Sequence, residues 1–127
     1  MRHRCQLVLL IGSLCGVFPV LAIAGNWGQF RGPNAAGRAE RDEKLPDAVG
    51  PETNVIWKRE FPAGHSSPAI FGDRLYLTAE RDDQLLTICL DRQTGRELWQ
   101  AAAPHAVLEK IHDTASHATP SPATDGK

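Results

Sequence analysis

The side chains best able to do chemistry in this 127-residue chain are five histidines, three cysteines and a scatter of acids. His105, His112 and His117 lie close together in sequence, and His65 stands apart. A zinc site needs three or four convergent ligands, usually with one short-spaced pair, and this spacing supplies no such pair. The histidines are therefore read as surface-loop residues, and no metal ligand is assigned. Cys89 sits inside the apolar run Leu85–Leu90. That setting suits a small buried hydrophobe better than a nucleophile. A G-x-S-x-G elbow, a G-x-G-x-x-G loop and a phosphate-binding P-loop are all missing from the sequence. No catalytic residue is assigned, and the residues lean away from an enzyme.

Composition narrows the remaining classes. The chain is 42% hydrophobic and 23% charged, with net charge −1. Collagenous, coiled-coil and strongly disordered chains do not have this balance. A nucleic-acid partner would call for a basic patch and a high pI, so none is expected. Residues 1–24 read as a signal peptide. Arg2, His3 and Arg4 precede an apolar run from Leu7 to Val20, and Ala22-Ile23-Ala24 places small residues before Gly25. That order predicts cleavage before Gly25 and export to the periplasm or beyond, with no stable membrane span afterwards. Cys15 follows Leu14 with Gly12 three before it, which departs from a lipoprotein signal. Cys5 and Cys15 leave with this segment. Cys89 then has no intramolecular disulfide partner.

The remaining chain must position whatever site exists. Residues 25–53, punctuated by Gly28, Gly32, Pro33, Gly37, Pro46, Gly50 and Pro51, predict an irregular arm. Trp27 and Phe30 are its expected anchors. From Asn54 the pattern becomes short apolar runs between turn residues. A closing strand is expected at 54–59. Strands at 66–71, 74–79, 84–90 and 96–100 should form one antiparallel meander. Ser67-Pro68-Ala69-x-x-Gly72 recurs as Ser121-Pro122-Ala123-x-x-Gly126, and Ile56-Trp57-Lys58 resembles Leu98-Trp99-Gln100. Each unit is then a four-stranded sheet of about 40 residues, the size of a propeller blade. The reading is all-β: a first blade at 66–100, a linker at 101–117 and the start of another blade at 118–127. The linker could form a short helical turn over 106–112, where Val107, Leu108 and Ile111 would share a face. A lone blade should expose apolar faces built from Leu75, Leu77, Tyr76, Leu86, Ile88 and Trp99.

From Ser67-Pro68-Ala69 through Leu90-Asp91-Arg92-Gln93-Thr94-Gly95-Arg96-Glu97-Leu98-Trp99, the chain resembles one repeat of the pyrroloquinoline-quinone-like β-propellers. The arm Trp27-Gly28-Gln29-Phe30-Arg31-Gly32-Pro33 is similar to the mature start of exported members of that family. Cys89 replaces the usual Ala. In the motif, Asp91 can accept N–H bonds from the turn that Thr94 and Gly95 complete, and Gly95 can take a positive φ. The resemblance implies that Trp99 docks neighbouring blades, and that Trp57 does so for the sequence-last blade. It also implies a non-catalytic scaffold or binding module of the bacterial envelope, with envelope proteins as partners. The alternatives are the N-terminal part of a quinoprotein oxidoreductase and a fragment without independent function. Pyrroloquinoline quinone and calcium would enter only in the enzyme, whose ligands come from several blades. Asp125-Gly126-Lys127 falls inside the hairpin turn of the second copy, so a longer protein is expected.

Overall fold

The computed structural model describes residues 25–39 and 46–126. The expected signal peptide, residues 1–24, lies outside the described residues, as do 40–45 and Lys127. The fold is all-β. Strands β1 (Ala69–Phe71), β2 (Arg74–Arg81), β3 (Gln84–Asp91) and β4 (Glu97–Ala103) form one antiparallel sheet in sequence order.

Each hairpin follows from its turn residues. Between β1 and β2, Phe71 pairs with Arg74 around Gly72-Asp73, and Gly72 has φ 55°. Glycine at the first central position of a two-residue loop supplies that positive φ without a Cβ clash. Between β2 and β3, Asp82 and Asp83 both adopt positive φ (50° and 60°), a conformation aspartate tolerates better than most residues. Between β3 and β4, the ladder slips by one residue near Cys89 and Leu90, so Leu98 is an extra residue on the outer strand.

Alternation divides the sheet into two faces. One carries Leu75, Leu77, Ala79, Leu86, Ile88 and Leu90, which meet across the strands as Leu75–Leu90, Leu77–Ile88 and Ala79–Leu86. Trp57 and Phe61 pack onto this cluster from the segment before β1. The opposite face carries Tyr76, Thr78, Cys89 and Trp99. There the Thr78 hydroxyl lies 2.8 Å from the Pro120 carbonyl and 3.2 Å from that of Ala118. Ile88 and Leu86 are thus 1% and 5% exposed, whereas Trp99 keeps 40%. The expectation of two bare faces therefore holds only around Trp99, because the chain folds its own flanking segments over the rest.

Several boundaries differ from the sequence reading. The first strand begins at Ala69 rather than 66. Pro68 has no N–H to give a ladder, and the Ser66 hydroxyl takes over, accepting from Thr78 N at 3.0 Å and donating to Thr78 O at 3.1 Å. At the other side β4 continues through Ala101–Ala103, opposite Thr87, Leu86 and Leu85, so the linker starts at Pro104. Residues 106–112 form no helix. Seven residues make a marginal helix unless an apolar face is buried, and Val107 is 81% exposed. Residues 54–59 belong to no ladder. Among its described residues the arm holds a 3-10 turn at Pro33–Ala35 and isolated bridges.

Candidate functional site

Most of the repeat-motif residues gather into two places. The first is the β3–β4 turn. The Asp91 carboxylate accepts from Gln93 N at 3.1 Å, Thr94 N at 2.9 Å and Thr94 Oγ1 at 2.7 Å. Gly95 N donates to the Asp91 carbonyl at 2.9 Å, and Asp91 N to that of Arg96 at 2.8 Å. The Thr94 hydroxyl and backbone bonds hold the Asp91 carboxyl below the usual range, because they favour its charged form. Gly95 has φ 69° and lies flat against the Trp57 indole, whose Nε1 donates to the Arg92 carbonyl at 2.8 Å. Arg59 ties the same turn down, donating to Gly95 O at 3.1 Å and to the Glu97 carboxylate at 2.9 Å.

Trp57 therefore docks onto the turn and core face of its own sheet. No local pattern reveals which surface a tryptophan will find. Trp99 sits apart from this cluster, on the opposite face, with its ring 6.1 Å from that of Tyr76.

The second place is the junction of the two Ser-Pro-Ala motifs. Ser67 N donates to Ser121 Oγ at 2.9 Å, joining equivalent residues 54 positions apart. Further along, Gly126 packs on the Phe71 ring, so the two copies run side by side in the same direction. The arm threads between them. Trp27 and Ile70 exchange two backbone bonds of 2.8 Å each, and Thr124 N donates to Gly28 O at 2.9 Å. Asn26 Oδ1 accepts from Gly72 N at 2.8 Å. Trp27 thus anchors the arm, with Gly32 buried against its ring, while Phe30 stays 59% exposed. Beside this junction lies an open cleft of about 680 Å³ whose walls include Asn26, Gln29, Phe71, Thr124 and Asp125. Pro68 instead lines a smaller cavity of about 260 Å³ with Trp57, Phe61, Leu75 and Leu77.

The groups with possible redox or metal chemistry lie elsewhere. Cys89 is fully buried, and burial pushes its thiol up against the opposing pull of Arg74 and Tyr76, a setting that makes it unreactive. Among the described residues no group of three or more His, Cys, Asp or Glu side chains converges on a point. Among them, too, no helix is long and apolar enough to cross a membrane. The histidines separate in kind. His65, His105 and His112 are exposed, but His117 is half-buried between Glu80 and the Glu109 carbonyl. The surface-loop reading of His117 is corrected. Its partner Glu80 lies 37 residues away, beyond any local signal. Ser66 and Thr78, which stitch the pre-β1 segment and the 118–120 segment to β2, escaped the sequence reading for the same reason. Comparison of the chain with protein-family models, with curated proteins and with solved structures finds no match in any of the three.

Proposed function

We propose that this chain is an exported, non-catalytic scaffold or binding module of the bacterial envelope, built as a blade of a propeller of the pyrroloquinoline-quinone-like kind. The observation that carries the reading is the Ser67–Ser121 hydrogen bond between equivalent motif residues running in the same direction. Blades related by rotation about an axis bring equivalent inner residues side by side and parallel, whereas consecutive strands of one meander run antiparallel. The hydrogen-bonded Asp91 turn and the tight Gly95–Trp57 contact support it as structural, not catalytic, uses of the repeat motif. Export rests on the Ala22-Ile23-Ala24 signal pattern. Partners would be envelope proteins, and the cleft beside the motif junction is the proposed contact region.

The test titrates the purified protein with pyrroloquinoline quinone and calcium, following tryptophan fluorescence, alongside cell fractionation. The reading expects no saturable quinone binding and an exported species starting at Gly25. Saturable, stoichiometric quinone binding would move the assignment to a quinoprotein oxidoreductase. A species retained in the cytoplasm with Met1 intact would remove the envelope.

A further inference from the structure

We propose that His117 is a pH-operated clasp on the strap formed by residues 104–118, closed when its ring carries two protons and released when it carries one. The strap leaves the end of β4, passes the β2–β3 turn and the end of β2, and leads into the second Ser-Pro-Ala motif. It is pinned at three points. His105 Nε2 lies 2.9 Å from the Asp83 carbonyl, His117 Nδ1 lies 3.1 Å from a Glu80 carboxylate oxygen, and Ala118 O accepts from His65 N at 3.1 Å.

The His117 ring differs from the other two pins. Its Nε2 lies 2.7 Å from the Glu109 carbonyl, while Nδ1 faces both oxygens of Glu80 at 3.1 and 3.2 Å. A backbone carbonyl and an ionised carboxylate can only accept hydrogen bonds. Both contacts are satisfied together only by the doubly protonated imidazolium. Neutral imidazole has one N–H, so one of the two acceptors would then face a lone pair. The charges facing the ring are Glu80 from β2 and Asp83 from the β2–β3 turn, and the strap contributes the Glu109 carbonyl and, against the Asp83 backbone, His105. Glu80, Asp83 and the Glu109 carbonyl favour the cation. The Glu109 carbonyl bond is the largest influence raising the His117 pKa above its ordinary value, with Glu80 and Asp83 adding to it against partial burial.

The sign follows directly. A histidine raised in the folded state holds the strap fully at pH values below about 6.5, and loses it as pH rises through the higher folded value. Three bonds do not depend on the ring's protonation, His117 N to Glu80 at 3.2 Å and His65 N and Thr78 Oγ1 to Ala118 O at 3.1 and 3.2 Å, and they keep the far end of the strap tethered. Beneath the clasp is a cavity of about 170 Å³ whose lining includes Ala79, Leu85, Leu86, Ala103 and Ala118. Loss of the ring contacts frees the strap ahead of Ala118 and loosens its cover over this apolar surface, so access from that side is set by pH.

The experiment uses the full chain. Imidazole nitrogen NMR should show His117 with both N–H groups at pH 6 and a midpoint above about 6.5. Trypsin cleavage after Lys110, in the middle of the strap, is measured across pH and divided by the rate for a free peptide spanning 104–118. That ratio should rise by up to about tenfold per pH unit above the midpoint. In His117→Gln it should lose its pH dependence, and Glu80→Gln should lower the midpoint. A singly protonated His117 ring at pH 6, or a ratio flat across pH in the unaltered protein, would overturn the proposal. Both decisive measurements are made on the unaltered chain, so a variant that fails to fold does not remove the test.

Discussion

Substituting Gly95 by alanine should destabilise the fold far more than the same change at Gly72, although both glycines have positive φ (69° and 55°). The backbone term is common to the two. A left-handed conformation costs an L-residue about 1–2 kcal/mol. The surroundings differ. A Cβ at Gly72 meets nothing within 4 Å, but one at Gly95 would stand 2.6 Å from Cδ2 and Cε3 of Trp57. The indole would have to move. It would then give up its 2.8 Å bond to the Arg92 carbonyl, worth about 1 kcal/mol, and part of its packing against the Ala79, Leu86, Ile88 and Leu90 cluster, worth about another 1–2. Gly95→Ala should therefore cost about 3–5 kcal/mol and Gly72→Ala about 1–2. The assay is urea unfolding followed by circular dichroism and tryptophan fluorescence, with thermal melts in parallel. A 3 kcal/mol loss in a domain of this size lowers Tm by roughly 12 °C or more. In a Trp57→Ala background the cost of Gly95→Ala should shrink to its backbone part, because the clash is gone. Equal losses at the two glycines, or no coupling to Trp57, would refute the reasoning.

The remaining predictions concern the same framework. Trp57→Ala should cost about 2–4 kcal/mol and Trp99→Ala about 1, as measured by urea midpoints, because Trp57 covers the core whereas Trp99 makes one tilted ring contact and stays exposed. Ser121→Ala should cost about 1 kcal/mol by leaving Ser67 N without its acceptor, and hydrogen exchange at the Ser67 amide should speed up. Asp91→Ala should lower stability at neutral pH. A carboxyl held below its ordinary value contributes stability above about pH 3.9 and loses it as pH falls through the folded value, so the variant should show a smaller drop between pH 6 and pH 3 than the parent. An unchanged acid sensitivity would count against the Asp91 turn.

The readings that came through intact from sequence are those decided by neighbours along the chain. Gly72-Asp73, Asp82-Asp83 and Asp91 through Gly95 are turn formers whose φ preferences and short side chains act within a few residues. Between them the apolar runs leave little choice but four strands in sequence order. The Asp91–Thr94–Gly95 turn was legible down to its hydrogen bonds for this reason, and the Ser-Pro-Ala repeat was visible as a pattern.

What only the tertiary structure decided was where side chains distant in sequence come to rest. Trp57 finds Gly95 and Phe30 finds solvent, though both are aromatic residues in irregular segments. The outer strand runs on through Ala101–Ala103, residues of weak β-propensity, because β3 offers them a ladder opposite Leu85–Thr87. Residues 106–112 stay non-helical because no apolar surface meets Val107. His117 changes from a loop histidine to a doubly bonded one because Glu80 and Glu109 converge on its two nitrogens from different segments. Local chemistry fixes turns and strand order, since its energies act within one hairpin. Contacts across 35 residues or more, such as Trp57 with Arg92, depend on how the whole sheet and its flanking segments pack, and no window of the sequence contains them.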